Sequence, residues 1–214
     1  MKLINAARAS KEEFELILSL LHEGRVVGFP TDTAYGLGAD PFNDNAIAEI
    51  FKIKGRPESK PILLLADSLE MTEHVVYSVP LFRPIAQEFW PGPLTLVLPA
   101  REILPESVTA GTGTIGVRWP VCPFATMLVK MFGKPITATS ANLTGQQTCV
   151  TAAEVSEQIG ERLPVLIDGG ELPARTGSTL LDLTGETPVL LREGPVSYET
   201  LEAFLQGRLR RANS

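Results

Sequence analysis

The first part of the chain carries apolar residues at helical spacing. Four of them lie three or four positions apart and share one helical face: Phe14, Ile17, Leu18 and Leu21. Ser10 and Glu13 form a capping-box pattern before them, and Gly24 follows as a stop signal. The pattern predicts a first helix that ends near Gly24.

Short apolar runs follow and alternate with further helical patterns. Arg25–Phe29 predicts a buried strand that ends at Pro30, and the polar, glycine-containing stretch as far as Asp40 predicts a loop. Later runs predict strands at Ile62–Ala66, Leu94–Leu98, Ile115–Trp119, Ile136–Thr139, Val165–Ile167, Thr179–Leu183 and Val189–Arg192. Helical patterns lie at Ala46–Phe51, Val79–Trp90, Phe124–Phe132 and Thr151–Ile159, and Ser197 predicts the cap of a last helix.

This alternation predicts an α/β fold with a mixed sheet flanked by helices. The last two strands are expected to pair as a hairpin through the turn at 184–188, so the sheet is not wholly parallel. Since no linker divides the sequence, residues 1–209 are expected to form a single domain. Residues 210–214 have the composition of a frayed tail.

The composition of the chain excludes several classes of function. The 214 residues are 44% hydrophobic, with a formal net charge of −6. An acidic chain does not suit a protein that coats nucleic acid, because phosphate binding needs concentrated Lys and Arg. No apolar run approaches the roughly 18 residues of a membrane helix, and residues 1–14 hold no secretory signal pattern. We therefore expect a cytoplasmic protein.

Two nucleotide-binding motifs can be set aside. Gly111–Gly116 matches GxGxxG, but it leads into an extended run that ends at Pro120, whereas the dinucleotide fingerprint opens a helix. Gly133-Lys134-Pro135 lacks the hydroxyl residue of a P-loop. The two cysteines have no CxxC spacing, and no metal site is predicted.

Several polar blocks lie beside the predicted strands. They are Pro30-Thr31-Asp32-Thr33-Ala34-Tyr35-Gly36-Leu37, Lys54-Gly55-Arg56-Pro57, Thr139-Ser140-Ala141-Asn142 and Gly177-Ser178-Thr179. Singly, each is compatible with a turn. In this order, with Trp90–Thr95, Gly116-Val117-Arg118 and Leu191-Arg192-Glu193-Gly194, the set resembles the YrdC-like threonylcarbamoyl-AMP synthase family over nearly the whole chain.

The resemblance implies an enzyme that condenses L-threonine, bicarbonate and ATP into threonylcarbamoyl-adenylate and pyrophosphate. That reaction is the first step of a tRNA adenosine modification, so the resemblance implies further proteins of the threonylcarbamoyl-transfer machinery as partners. It also implies a twisted mixed sheet around a deep, positively charged groove. Mg²⁺ is expected to accompany ATP.

The resemblance assigns roles to individual residues. As catalytic residues it implies Lys54, Arg56, Ser140 and Asn142. On the nucleotide side it implies Arg56, Lys60, Thr114, Ser140, Asn142 and Arg192. On the threonine side it implies Thr31, Arg118, Thr139 and Ser178. A guanidinium suits the substrate carboxylate, and Lys and Arg neutralise phosphate in different geometries.

One position departs from the family pattern, and two alternatives remain open. Val121-Cys122 stands where many relatives have an Asp-His or similar pair, which leaves a histidine role there in doubt. The first alternative is a carbamoyl-adenylate-forming domain, as found in hydrogenase maturation. The second is an RNA-binding module that grips the backbone through the basic segment 52–60; we expect weak RNA binding at most.

Overall fold

The computed structural model describes residues 1–55, 61–173 and 176–212. Its helices are α1 Lys11–His22, α2 Asp44–Lys54, α3 Leu69–Val75, α4 Phe82–Phe89, α5 Glu106–Thr109, α6 Pro123–Phe132, α7 Ala152–Ile159 and α8 Tyr198–Phe204, with a 3₁₀ turn at Gly160–Arg162. Its strands are β1 Lys2–Asn5, β2 Val27–Pro30, β3 Tyr35–Gly38, β4 Leu64–Leu65, β5 Leu94–Pro99, β6 Thr114–Arg118, β7 Ile136–Thr137, β8 Thr139–Ser140, β9 Val165–Asp168, β10 Thr179–Asp182, β11 Val189–Arg192 and β12 Arg210–Arg211.

The strands form two mixed sheets rather than the single sheet expected from the sequence. Among the described residues, one sheet has five strands in the order β1-β9-β2-β3-β8, and the other has seven in the order β12-β11-β10-β5-β6-β4-β7. The α/β class, the mixed pairing and the antiparallel β10–β11 hairpin are confirmed. No helix in the described ranges has the length and apolar character needed to cross a bilayer.

The segment Ile136–Thr139, predicted as one strand, explains how the two sheets arise. It divides at Ala138: β7 pairs with β4 in the larger sheet, and β8 pairs with β3 in the smaller one. The Ala138 amide donates to the carbonyl of Leu63 at 2.8 Å, so the chain keeps its backbone hydrogen bonding as it passes between the sheets.

The predicted loop from Pro30 to Asp40 is wrong in its second half, where β3 lies. Its glycines are strand positions over which an aromatic ring packs: a Cβ on Gly38 would lie 2.9 Å from the ring of Phe29. The alternate residues Tyr35 and Leu37 are fully buried. Glycine was interpreted as a turn signal, but here it makes room for a ring.

Both ends of the chain differ from the expectation. β1 was not predicted, and it pairs in parallel with β9, Lys2 opposite Val165. The expected frayed tail is corrected for Arg210 and Arg211, which form β12 beside β11. The capping box at Ser10 and Glu13 and the apolar face of α1 confirm the sequence pattern, and α7 begins with a second capping box, at Thr151 and Glu154, that was not predicted.

Two apolar clusters hold these layers together. The larger packs α2, α4 and α7 against the inner faces of both sheets, including Leu96 and Val117. The smaller packs α1 and α6 against β2 and β9, including Phe29 and Ile167. In the larger sheet, the residues of β5, β6 and β10 that face away from the core line the cavity described next.

Candidate functional site

A cavity of about 640 Å³ lies between the two sheets and is lined by residues of both. Its wall contains residues of β5, β6 and β10 that alternate along each strand: Thr95, Val97, Thr114, Gly116, Arg118, Leu180 and Asp182. The residues between them, such as Leu96, Val117 and Leu181, are buried in the core. The two-residue strand period therefore places an apolar row in the core and a mixed row, with its polar side chains Thr95, Thr114, Arg118 and Asp182, in the cavity.

The smaller sheet contributes the turn between β2 and β3. The Thr31 hydroxyl donates to the Ala34 carbonyl at 2.7 Å and accepts from the amides of Thr33 and Ala34, each at 3.2 Å. This local bonding closes the turn and presents Thr31 and Thr33 to the cavity. Thr139 and Ser140 of β8, also in the wall, lie beside β3.

Arg118 is the most deeply buried cation of the cavity wall, with only 2% of its surface exposed. One terminal nitrogen, Nη1, donates to the Thr33 hydroxyl at 3.0 Å and lies 3.2 Å from the Asp32 carboxylate. Burial lowers the pKa of Arg118, and the negative charge of Asp32 opposes that shift. The site thus keeps a guanidinium inside the protein by pairing it.

Ser178 is the centre of a second polar group. Its hydroxyl lies 2.7 Å from the Thr95 hydroxyl, and both side chains are buried. Arg192 donates to the Ser178 carbonyl through Nε at 3.0 Å and Nη2 at 2.8 Å. Arg192 therefore lies against the same loop as Ser178, although the resemblance assigns one to the nucleotide and the other to threonine.

Lys54 is a buried residue behind the cavity wall. Gly55, with φ +57°, ends α2 directly after it. The Lys54 ammonium donates to the Ser140 carbonyl and to the Asn142 carbonyl, the latter at 3.0 Å. Asn142 in turn donates through its amide to the Leu143 and Gln146 carbonyls at 3.0 and 2.7 Å. Lys54 and Asn142 thus shape the Ser140 loop.

The structure brings most of the predicted site residues to one place. The cavity wall includes Thr31, Thr114, Arg118, Thr139, Ser140, Ser178 and Arg192. It does not include Lys54 or Asn142, whose catalytic roles stay predictions, as does the nucleotide contact of Asn142. Arg56 and Lys60 lie outside the described residues, so their roles, and the positive charge expected of the groove, also stay predictions.

Three residues that take part in the site were not singled out from the sequence. Thr33 and Asp32 contact Arg118, and Thr95 contacts Ser178. The first two lie inside the Pro30–Leu37 block and Thr95 ends the Trp90–Thr95 block, so membership of these blocks was the available signal. Each contact joins distant parts of the chain, which no local pattern specifies.

The departure at Val121-Cys122 lies beside this site. The Cys122 thiol donates to the Pro30 carbonyl at 3.5 Å, and burial raises its pKa. Neither Val121 nor Cys122 belongs to the described cavity wall.

The described residues offer no built metal site. They contain no group of three or more His, Cys, Asp or Glu side chains that could hold a metal ion. Asp32 faces Arg118, and Asp182 accepts from the Thr184 amide at 2.8 Å. Mg²⁺ therefore stays a prediction, as the companion of ATP.

Known proteins resemble this chain over most of its length. The family model Sua5/YciO/YrdC, described as "Telomere recombination", matches residues 19–194. A protein of Pyrococcus abyssi named threonylcarbamoyl-AMP synthase is 38% identical over 208 residues, covering 96% of this chain and 61% of that protein. One of Bacillus subtilis with the same name is 38% identical over 189 residues, covering 87% of this chain and 55% of that protein.

A solved structure agrees with these sequence matches. The crystal structure of P. abyssi Sua5 complexed with L-threonine superposes with a TM-score of 0.94 at 37% identity, covering 99% of this chain and 63% of that one. This chain therefore spans between about half and two thirds of the length of these relatives. The resemblance inferred from the polar blocks is confirmed, and the chain belongs to the Sua5/YciO/YrdC family.

Proposed function

We propose that this chain is a threonylcarbamoyl-AMP synthase, a nucleotidyltransferase that joins L-threonine, bicarbonate and ATP into threonylcarbamoyl-adenylate with release of pyrophosphate. The relatives of that name and the threonine complex of a similar structure support the proposal. The product would pass to proteins that transfer the threonylcarbamoyl group to tRNA.

The observation that carries the proposal is a buried guanidinium in a cavity otherwise rich in hydroxyl groups. Arg118 supplies a planar fork that matches a carboxylate. Thr31, Thr33, Thr95 and Ser178 supply hydroxyls in the same wall or directly behind it. L-threonine carries a carboxylate and a hydroxyl on adjacent carbons, so this combination matches its two recognition groups.

The remaining wall suits a nucleotide. Thr114, Ser140 and Arg192 also line the cavity, and Arg56 and Lys60 are the additional cations predicted from the sequence. The cavity volume of about 640 Å³ falls within the roughly 300–1,000 Å³ of small-molecule sites. Apolar patches at Val97, Leu180 and Leu191 give the adenine ring a place to pack.

In the proposed reaction, the threonine amine takes up a carboxyl group from bicarbonate with loss of water. A carbamate oxygen then attacks the α-phosphorus of ATP, and pyrophosphate leaves. Both reactants are anions, so cations must bring them together. Arg118 holds the threonine carboxylate away from the reacting end, while Arg192 and the predicted Arg56 lower the repulsion between carbamate and triphosphate.

Pyrophosphate release tests the proposal. Purified protein with Mg²⁺ and ATP should release pyrophosphate only when threonine and bicarbonate are both present, because each omission removes the attacking carbamate. Serine should replace threonine poorly, since one buried methyl group is worth about 1–3 kcal/mol. Pyrophosphate release with ATP alone would refute the proposal. Replacement of both small substrates by carbamoyl phosphate would establish the maturation-domain alternative in its place.

A further inference from the structure

Asp32 is a buried carboxylate that lies behind Arg118 and outside the cavity wall. Its side chain is 6% exposed and that of Arg118 is 3% exposed, with Oδ1 of Asp32 3.2 Å from Nη1 of Arg118. The Thr33 hydroxyl accepts from the same Nη1 at 3.0 Å. The turn between β2 and β3 therefore holds Arg118 by one terminal nitrogen, from two consecutive residues.

On its other side the guanidinium lacks a protein partner at Nε in the part of the chain that the structure describes. Within the described residues, Nε of Arg118 is buried without a hydrogen-bond partner, and both oxygens of Asp32 lack one as well. Buried donors are almost always satisfied in folded proteins, so an unsatisfied one in a cavity wall points to a ligand. Nε and Nη2 form one planar edge, which is the edge that binds a carboxylate through two parallel hydrogen bonds.

The charge of the pair matters as much as its geometry. An isolated guanidinium in this cavity would attract the triphosphate of ATP more strongly than a single carboxylate, because the Coulomb attraction grows with ligand charge. Next to Asp32 the guanidinium belongs to a pair with no net charge. The affinity of a ligand for this pair then depends mainly on hydrogen-bond geometry, which favours a planar carboxylate over a tetrahedral phosphate.

We propose that Asp32 is a positioning and specificity residue. It fixes the guanidinium of Arg118 so that the Nε–Nη2 edge donates two hydrogen bonds to the carboxylate of an amino acid and binds phosphate less well. This inference rests on the proposed function, since it takes threonine as the amino acid. Asp32 acts through Arg118 and does not itself contact the substrate.

Calorimetric binding of L-threonine and, separately, of ATP tests the inference. Asp32→Asn keeps the size of the side chain and removes its charge. The threonine dissociation constant should rise on the order of tenfold, as for loss of a charge-assisted contact, while that of ATP should change less than about twofold. Inorganic pyrophosphate should compete with threonine more strongly in the variant than in the natural protein, an effect that a loosened fold does not produce.

Asp40→Asn is the matched control. Asp40 is also a buried aspartate, but its partner Lys134, at 2.5 Å, is not a residue of the cavity wall, whereas Arg118 is. This variant should lose stability without weakening threonine binding. If Asp32→Asn does not fold, Thr33→Val removes the other contact to Nη1 without altering a buried charge. Because Thr33 also lines the cavity, its effect on threonine binding counts as positioning only if it falls below about twofold in an Arg118→Lys background.

A double-mutant cycle separates positioning from a direct contact. In an Arg118→Lys background, where the planar edge is absent, Asp32→Asn should weaken threonine binding by less than about twofold. Unchanged threonine affinity in folded Asp32→Asn, or an equal loss for threonine and ATP, overturns the inference. Absence of threonine binding by the natural protein would instead refute the proposed function, so the two failures are distinguishable.

Discussion

Tyr35 is the residue that joins the cavity wall to the loop after β9. Its ring is fully buried, and its hydroxyl donates to the Gly170 carbonyl at 2.8 Å and accepts from the Gly169 amide at 2.9 Å. Burial raises the pKa of this phenol to about 12. Deprotonation removes the bond to the Gly170 carbonyl, whereas the phenolate can still accept from the Gly169 amide.

Tyr35→Phe should lower the free energy of unfolding by about 1–3 kcal/mol near neutral pH, because two backbone groups lose their partner. The folded pKa lies above the unfolded value of about 10, so the contribution of the hydroxyl is complete below pH 10 and is lost as pH rises toward about 12. Urea titrations of both proteins at several alkaline pH values measure this. A stability difference that stays constant across that window would contradict the assignment.

The sequence predicted which residues belong to the site better than it predicted the contacts that those residues make. Thr31, Arg118 and Ser178 were assigned through their blocks and do lie in one cavity. The pairing of Arg118 with Asp32, and of Ser178 with Thr95, was not predicted because the partners come from distant segments. Lys54 was predicted as a catalytic residue; its ammonium bonds the carbonyls of Ser140 and Asn142, and its catalytic role stays a prediction.

The backbone around the hairpin β10–β11 packs so closely that it requires a glycine at position 194. A Cβ on Gly194 would lie 2.6 Å from the Thr179 amide nitrogen and 2.9 Å from the Gly177 carbonyl oxygen. These are backbone atoms, which cannot move aside as a side chain can. The loop that carries Ser178 therefore packs directly on the backbone that follows β11.

Gly194→Ala should destabilise the protein by more than about 2 kcal/mol and weaken threonine binding, since the clash pushes against the Ser178 loop. Gly185→Ala, in the turn of the same hairpin, is the control: its Cβ would meet nothing closer than the Thr187 carbonyl oxygen at 3.9 Å. Thermal unfolding and calorimetry of the two variants measure the contrast. Equal effects of the two substitutions would show that the close packing does not matter.

Helices and strands were predictable where apolar residues kept one regular spacing over several residues. The helices α1, α2, α6 and α7 and the long strands β5 and β6 were placed to within a few residues. β3 was missed because its glycines were interpreted as turn signals. The division of Ile136–Ser140 between two sheets was missed because its pairing partners decide it, and periodicity contains no information about partners.

The whole molecule places one cavity between two sheets, so a ligand there should stabilise both. Threonine at a hundred times its dissociation constant adds about 2.7 kcal/mol to the free energy of unfolding. Amide hydrogen exchange should slow in β3 of the smaller sheet and in β6 of the larger one. The slowing of hydrogen exchange should be smaller in Arg118→Lys at equal threonine concentration. Protection confined to a single sheet would argue against a ligand between them.

The strand order of the smaller sheet also constrains the sequence of events in folding. β9 lies between β1 and β2, with Leu166 opposite both Leu3 and Gly28. During synthesis, β1 and β2 therefore emerge long before the strand that joins them, and contacts so distant in sequence slow folding. Until Val165–Asp168 is made, β2 can pair only with β3 in this sheet, and the Tyr35 hydroxyl has neither Gly169 nor Gly170 to bond. One wall of the cavity thus acquires its final support only after Gly169 and Gly170 have been synthesised.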